Sequence, residues 1–304
     1  MRNHRSGKSP RRTNQREVNQ SQQSRPRSSV DSAATHKLQK LLAQSGLGSR
    51  REMETLIAAG EVSINGKIAK VGDRIGAGDL VRVRNRLIRI NAGSRLPRII
   101  FYHKPEGEIV SRHDPEGRPS VFDKLPELKS SRWVSIGRLD FNTSGLLIFT
   151  TSGELANQMM HPRFQVEREY AVRIIGQLTR EQMAQLTHGI ELEDGMAKFE
   201  MIVEQGGEGS NRWYHVVIKE GKNREVRRIF EKLGIAVSRL IRVRFGPIRL
   251  PPYLKRGMLS ELKENEVRQL MALIHTPKIA EPKQTTPQIP SSHRKVTLNR
   301  FSST

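Results

Sequence analysis

The chain has 304 residues, with 53 Lys and Arg against 31 Asp and Glu, and a formal net charge of +22. A charge of this size indicates a polyanionic partner, and nucleic acid is the first candidate. The absence of cysteine excludes disulfides, thiolate metal sites and a cysteine nucleophile. No apolar run approaches the ~20 residues of a membrane span, and the polar N-terminus is unlike a signal peptide, so we expect a cytoplasmic protein.

Both ends of the chain are basic and have few residues to bury. Residues 1–35 are rich in Arg, Ser, Gln and Asn, and residues 276–304 add several prolines, so we expect two disordered basic tails. We interpret the tails either as sequence-independent phosphate contacts or as inert solvated segments. The part between them keeps 40 Lys and Arg against 28 Asp and Glu, so the folded region is itself basic.

Two short helices and a small hairpin sheet are predicted for residues 36–83. Ser49, with Glu52 three positions later, forms a capping box for the second helix. Asn65-Gly66 between two short apolar runs predicts a hairpin turn. The Gly-Ser-Arg-Arg-Glu start and the Gly-Glu-Val-Ser-Ile-Asn-Gly-Lys hairpin resemble the alpha-L RNA-binding domain, also called the S-four domain.

This resemblance implies a basic surface that faces RNA phosphates. The residues expected on that surface are Lys37, Lys40, Arg50, Arg51 and Lys67. Taken singly, each of them is an ordinary solvated charge, and only as a set on this motif do they favour RNA contact.

We predict a linker at residues 84–97 and a second domain at residues 98–275. In this domain the stretch from Ser135 to Thr150 predicts a strand, a tight polar loop and a second, buried strand. The loop contains Asp140 beside Arg138, and a carboxylate next to a guanidinium stays ionised and can act as a nucleophile or a base. On these residues alone, an Asp that caps a turn is the simpler interpretation.

The string Gly-Arg-Leu-Asp, followed by Asn-Thr-Ser-Gly-Leu-Leu, resembles the signature loop of the pseudouridine synthases. It is most similar to the branch that contains the enzyme of the small ribosomal subunit and the B, E and F enzymes of the large one. The resemblance implies that Asp140 is the catalytic residue, with Arg138 beside it in contact with RNA. Lys-Pro-Glu-Gly at residues 104–107 resembles the first motif of the same family, and we interpret it as architectural, with Lys104 also a phosphate contact.

Two further motifs carry the same resemblance. The tyrosine of Glu-Arg-Glu-Tyr-Ala-Val is Tyr170, which would stack on a flipped base or move a proton; without the resemblance it is a core residue of a strand. The segment from Glu220 to Arg228 resembles the motif that supplies a basic partner to the catalytic Asp, and its position selects Arg227. Arg224 and Arg228 are then expected to contact phosphate.

The remaining pattern predicts an α+β fold. Strands outnumber helices and mostly follow one another, which favours an antiparallel or mixed sheet with helices on its sides. The resemblance implies the same arrangement for about residues 98 to 250, a central and mostly antiparallel mixed sheet crossed by a cleft. Together the two resemblances imply an S-four domain followed by a pseudouridine synthase domain.

Pseudouridine formation breaks the bond from ribose to a ring nitrogen and joins a ring carbon to the same ribose. The reaction needs no redox change, so we expect no cofactor, and the sequence has no metal-ligand spacing. We interpret the chain as an RNA pseudouridine synthase that acts on ribosomal RNA, of the large subunit, as a monomer in ribosome biogenesis. The alternatives are a non-catalytic RNA-binding or ribosome assembly factor, and a related synthase acting on another RNA. An RNA glycosidase would require a second carboxylate, which we do not identify.

Overall fold

The computed structural model describes residues 35–76, 78–88 and 96–275. The tails predicted to be disordered lie outside these ranges, apart from Thr35, and so does half of the predicted linker, residues 89–95.

The first domain, residues 35–88, packs two helices on short strands. Its elements are β1 (His36–Lys37), α1 (Leu38–Gln44), α2 (Arg50–Ala58), β2 (Val62–Ile64), β3 (Lys67–Ile68), β4 (Arg74–Ile75), β5 (Val81–Val83) and β6 (Arg86–Ile88). Four strands form a sheet in the order β3-β2-β5-β6, and β1 pairs with β4. The segment predicted as a linker begins with β6, which the sequence does not signal because the strand has three residues and none is buried.

The capping box at the start of α2 is confirmed. The Glu52 N–H donates to Ser49 Oγ at 3.1 Å, and the Ser49 N–H donates to the Glu52 carboxylate at 2.8 Å. Both bonds satisfy donors that the first helical turn leaves free. The apolar face of α2, with Met53 and Ile57, then packs on α1 and the strands to form the core of this domain.

The second domain, residues 96–275, is built on one large sheet. Its strands are β7 (Ile99–Lys104), β8 (Val134–Ile136), β9 (Ser144–Thr150), β10 (Arg168–Ile175), β11 (Ile190–Leu192), β12 (Gly195–Ala197), β13 (Met201–Glu208), β14 (Asn211–Ile218), β15 (Val237–Phe245), β16 (Ile248–Arg249) and β17 (Leu259–Glu261). Its α-helices are α3 (Gly153–Met160), α4 (Arg180–His188), α5 (Glu225–Glu231) and α6 (Glu264–His275). Two 3-10 helices span Val121–Lys124 and Pro162–Phe164.

Nine strands of the described residues form this sheet along the path β13-β14-β10-β15-β9-β7-β17, with β8 on β9 and β16 on β15. Among the strand pairs of these residues, only β9–β15 is parallel. Helices α4 and α5 cover one face, and α3 and α6 cover the other. The predicted α+β fold with a mostly antiparallel mixed sheet is confirmed.

The parallel pair β9–β15 brings two backbones unusually close together at Gly145. Gly145 has φ +109°, and a Cβ built on it would lie 2.3 Å from the carbonyl oxygen and 2.5 Å from the nitrogen of Arg242. Both the conformation and the space therefore require glycine. The same strand β15 pairs on its other side with β10, where Arg242 lies opposite Tyr170.

Lys104 at the end of β7 is fully buried beneath the loop that joins β8 to β9. Its Nζ donates to the main-chain oxygens of Pro105 at 2.8 Å, Asp140 at 3.1 Å, Phe141 at 3.4 Å and Thr143 at 2.9 Å. The expectation that Lys104 contacts phosphate is therefore wrong, because the ammonium group is enclosed by carbonyl groups of its own chain. Burial lowers the pKa of Lys104 from 10.5 to about 8.

The rest of the Lys-Pro-Glu-Gly motif supports the same loop. Gly107, with φ +86°, turns the chain so that its N–H donates to the Phe141 carbonyl at 3.0 Å. The motif therefore has an architectural role, because its residues hold the loop that contains Asp140.

The two domains touch through α1, α2 and the segment before β8. An Arg132 terminal nitrogen donates to the Gly48 carbonyl, and Lys40 lies 3.7 Å from a carboxylate oxygen of Glu154 on α3. A concave groove of about 420 Å³ runs along this contact, and it is lined in part by Arg50 and Arg51.

The Gly145→Ala substitution should strongly destabilise the protein. The added Cβ would overlap the Arg242 backbone in a conformation that L-residues avoid, so the free energy of unfolding should fall by roughly 3 kcal/mol. Urea denaturation of Gly145→Ala and of Gly76→Ala measures the difference. Gly76 is the matched control because it has no positive φ and its nearest neighbour would be 3.9 Å away. An equal effect at both positions would contradict the packing argument.

The lowered pKa of Lys104 predicts a pH dependence of stability. Between pH 8 and 10.5 the unfolded chain binds more protons at this lysine than the folded chain, so the free energy of unfolding should rise with pH. The rise should be at most roughly 3 kcal/mol, and Lys104→Met should lack it. Denaturation curves at pH 7.5 and about 10 test this, with the exposed Lys70→Met as the control that keeps the rise. A wild-type protein that loses stability relative to Lys104→Met over this range would refute the prediction.

Candidate active site

A cavity of about 450 Å³ opens between the Asp140 loop, strands β10 and β15, and the segment that leads into α5. Asp140 and Tyr170 both line it, so two of the predicted site residues come together although thirty positions separate them. Arg138 and Arg224 also line the cavity, and both have exposed side chains.

The position of Asp140 is determined by its backbone. Leu139 before it is buried, and the Thr143 N–H donates to the Asp140 carbonyl at 3.0 Å, which closes a four-residue turn. Gly137, with φ +78°, bends the chain out of β8. The carboxylate therefore stands on a short turn that is anchored on both sides, as the strand–loop–strand prediction requires.

Tyr170 lies on β10 with its side chain 8% exposed. It faces Val216 of β14 on one side and Arg242 of β15 on the other. The tyrosine is thus both a member of the domain core and a wall of the cavity, so the two interpretations of this residue are compatible.

Arg227 does not line the cavity and does not form the expected ion pair with Asp140. One terminal nitrogen donates to the Val237 carbonyl and the other to the Asn142 carbonyl, each at 2.8 Å. Burial lowers the pKa of Arg227, and the charge of Asp140 is one of the influences that oppose this shift. The arginine therefore supports the Asp140 turn through the main chain of Asn142, a contact that motif position alone does not reveal.

Two arginines in the cavity wall, the buried Arg242 and the half-buried Arg168, were not selected from the sequence. Arg242 is 1% exposed and donates from Nε to the Leu146 carbonyl at 2.9 Å and from Nη1 to the Arg138 carbonyl at 3.4 Å. Arg168 donates from Nη1 to the carbonyls of Lys219 at 2.9 Å and Glu220 at 2.7 Å. The available signal was the alternation of arginines with apolar residues on β15, which indicates neither the facing strand nor the cavity.

Glu225, at the start of α5, is a second carboxylate in the cavity wall. It is 3% exposed, and burial raises its pKa. One of its oxygens accepts the Lys222 N–H at 3.1 Å, so the side chain closes the turn that precedes the helix.

The expected RNA-facing residues of the first domain are mostly exposed. The side chains of Lys37, Arg50, Arg51 and Lys67 are exposed, whereas Lys40 is engaged with Glu154 of the second domain.

The two remaining arginines of the α5 region both have carboxylate partners. Arg228 donates from both terminal nitrogens to Asp194 at 2.9 and 2.8 Å, so its charge is already neutralised. Arg224 has φ +47° and reaches Glu231 at 3.1 Å, but it keeps an exposed side chain at the cavity.

Within residues 35–275, apart from the few positions left undescribed, no cluster of three His, Asp or Glu side chains is arranged to hold a metal ion. None of the helices described over the same range is long and apolar enough to cross a membrane.

Comparison with known proteins adds two family matches. The model described as "RNA pseudouridylate synthase" matches residues 98–232, and the model described as "S4 domain" matches residues 37–81.

Several curated relatives share the name "Ribosomal large subunit pseudouridine synthase B". The protein of Escherichia coli K12 is 52% identical over 246 residues, which cover 80% of this chain and 84% of the relative. The protein of Yersinia pestis is 54% identical over 243 residues, covering 78% and 76% respectively. The protein of Haemophilus influenzae is 52% identical over 254 residues, covering 83% and 71%.

A solved structure described as "Crystal structure of pseudouridylate synthase" superposes on this chain with a TM-score of 0.53 at 24% identity. The match covers 77% of this chain and 99% of that one, and it confirms the fold. The resemblance found in the motifs is confirmed by these matches: the chain belongs to the RNA pseudouridylate synthase family, with an S4 domain before its synthase domain.

Proposed function

We propose that this synthase converts a uridine of large-subunit ribosomal RNA to pseudouridine, with Asp140 as the nucleophile. The observation that carries the proposal is the cavity in which Asp140, Tyr170 and the buried Arg242 meet. The names of the relatives, at 52 to 54% identity, support the large ribosomal subunit as the source of the RNA. We also propose that it acts as a monomer in the cytoplasm.

The proposed chemistry needs one ionised carboxylate that attacks and is later released. Asp140 suits this role because its turn is anchored through the main chain, which leaves the side chain free to react. Tyr170 provides an aromatic surface for a uridine taken out of its stack, and its hydroxyl can carry a proton. Nothing in the isomerisation requires water, in contrast to glycoside hydrolysis with its paired carboxylates.

Arg227 acts in this proposal as a positioning residue. Its bonds to Asn142 and Val237 link the Asp140 turn to the start of β15. Both terminal nitrogens of this buried guanidinium are bonded to carbonyls, and breaking either bond would leave a further buried donor unpaired. The arginine thus holds in place the turn that carries the Asp140 carboxylate.

The proposed RNA path runs from the groove between the domains to the cavity. The groove carries Arg50, Arg51 and Arg132, and it meets the cavity at Met160, which lines both. Arg138 and Arg224 continue the basic surface at the cavity itself. Positive groups along a concave path bind the phosphate backbone without reading sequence, so they would deliver the RNA and leave recognition to the cavity.

Asp140→Asn should leave the fold and RNA affinity nearly unchanged but reduce product formation by about a thousandfold or more, because an amide is neither ionised nor comparably nucleophilic. Pseudouridine is measured in ribosomal RNA incubated with each purified protein. Asp123→Asn is the control, since Asp123 caps a 3-10 helix away from the cavity lining. Substantial residual product from Asp140→Asn would remove Asp140 from the proposed role.

The double variant Arg50→Gln and Arg51→Gln should weaken RNA binding without slowing the bound-state reaction. Loss of two phosphate contacts should reduce the magnitude of the slope of log affinity against log salt concentration by about 1.5. Salt titrations and single-turnover rates at saturating protein provide the two measurements, and the exposed Arg268→Gln on α6 is the control. If the rate at saturation falls as far as the affinity, the groove also positions the uridine and the division of roles proposed above is wrong.

A further inference from the structure

We propose that Arg242 stabilises the negative charge that develops on the uracil ring while its bond to ribose is broken. This inference rests on the proposed function and adds a catalytic role for a residue that the motifs did not select. It concerns a buried guanidinium in the cavity wall, opposite Tyr170 and beside the Asp140 loop.

The guanidinium of Arg242 is held in a fixed orientation. Nε and Nη1 donate to the carbonyls of Leu146 and Arg138, and the group lies 5.0 Å from the ring centroid of Phe245. The backbone of Arg242 is also fixed, since it lies directly against Gly145 of β9, where a Cβ would be 2.3 Å from the Arg242 carbonyl oxygen.

The charge of Arg242 is not neutralised by a close carboxylate. Its Nη2 is buried and makes no hydrogen bond of normal geometry within the described chain. Burial lowers the pKa of Arg242, opposed first by its neighbour Tyr170 and more weakly by Asp140. A buried cation without a carboxylate partner is costly, and groups with such perturbed ionisation concentrate at functional sites.

The other basic side chains lining the cavity are engaged elsewhere or exposed. Arg168 donates from Nη1 to main-chain carbonyls. Lys222 donates to the Met196 carbonyl and forms an ion pair with Glu220. Arg224 forms an ion pair with Glu231. Arg138 is exposed to solvent, which screens its charge. Of the described residues that line the cavity, Arg242 is thus the cation best placed to act on a dry ligand.

The reaction has a step that needs such a cation. When the bond between ribose C1′ and uracil N1 breaks, its electron pair moves to the ring and is shared with the carbonyl oxygens O2 and O4. After the base turns, C5 supplies the pair for the new bond to C1′, the C5 proton leaves, and N1 ends protonated, so atoms and electrons balance. A fixed donor at one carbonyl oxygen stabilises the charged stage more than the substrate, which is the condition for catalysis.

The first experiment compares Arg242→Met and Arg242→Lys with wild type, using Arg239→Met on the same strand as the control, since Arg239 is exposed and does not line the cavity. Arg242→Met should lower the single-turnover rate at saturating protein by about 100-fold or more and change RNA affinity little. Arg242→Lys should restore part of the rate, because it restores the charge. A rate for folded Arg242→Met that matches wild type, or a loss confined to affinity, would overturn the proposal.

The second experiment separates a catalytic contact from a structural one. The target uridine is replaced by 2-thiouridine or 4-thiouridine, in which sulfur accepts hydrogen bonds more weakly than oxygen. For one of these RNAs, the fold-decrease in single-turnover rate relative to the uridine RNA should be about tenfold larger for wild type than for Arg242→Met. Groups that interact show such non-additive effects. Effects that simply multiply would show that Arg242 does not contact the base.

If Arg242→Met does not fold, the rates of Arg242→Lys are measured with the same two thiouridine RNAs. The decrease in rate that thio-substitution causes must then be smaller for Arg242→Lys than for wild type. An equal decrease in both proteins overturns the inference. Wild-type protein that forms no pseudouridine would instead overturn the proposed function, so the two failures are distinguishable.

Discussion

The arrangement of the cavity depends on an ammonium group buried among carbonyl groups. Lys104 lies under the Asp140 turn and donates to the main-chain oxygens of Asp140, Phe141 and Thr143. The first two of these oxygens also accept main-chain N–H groups, so the lysine adds a second, charged donor to bonds already made by the loop. A hydrogen bond from a charged donor is stronger than one from a neutral donor. A turn of four residues is thereby tied by hydrogen bonds to β7 without belonging to the sheet.

Lys104 is one of three buried cations that hold this loop by its main chain. Arg227 bonds to Asn142 and Arg242 bonds to Arg138, so carbonyl oxygens on both sides of Asp140 are fixed from different directions. The three cations come from β7, α5 and β15, which are distant in sequence. Their charges lie around the turn that carries the Asp140 carboxylate, and because they bond to the main chain they do not occupy the carboxylate itself.

Local rules predicted the capping box at Ser49, the strand–loop–strand around Asp140 and the sheet class, because each depends on residues a few positions apart. The resemblance selected Asp140 and Tyr170, which the cavity brings together. The roles of Lys104, Arg227 and Arg242 were misjudged or missed, because a lone basic residue carries the same sequence signal whether it faces phosphate or a buried carbonyl. For Arg242 the surroundings are determined by the pairing of β10 with β15, which places it opposite Tyr170. The register of that pairing cannot be predicted from a single sequence.

The contact between β9 and β15 also has a consequence for the order in which the protein matures. Arg242 and the Leu146 carbonyl it binds are 96 residues apart, and β15 inserts between two strands made much earlier. During synthesis the Asp140 turn therefore emerges long before its neighbours, and it gains its cationic support only when most of the second domain has left the ribosome. An incomplete chain thus has Asp140 without the cavity walls that β15 and α5 supply.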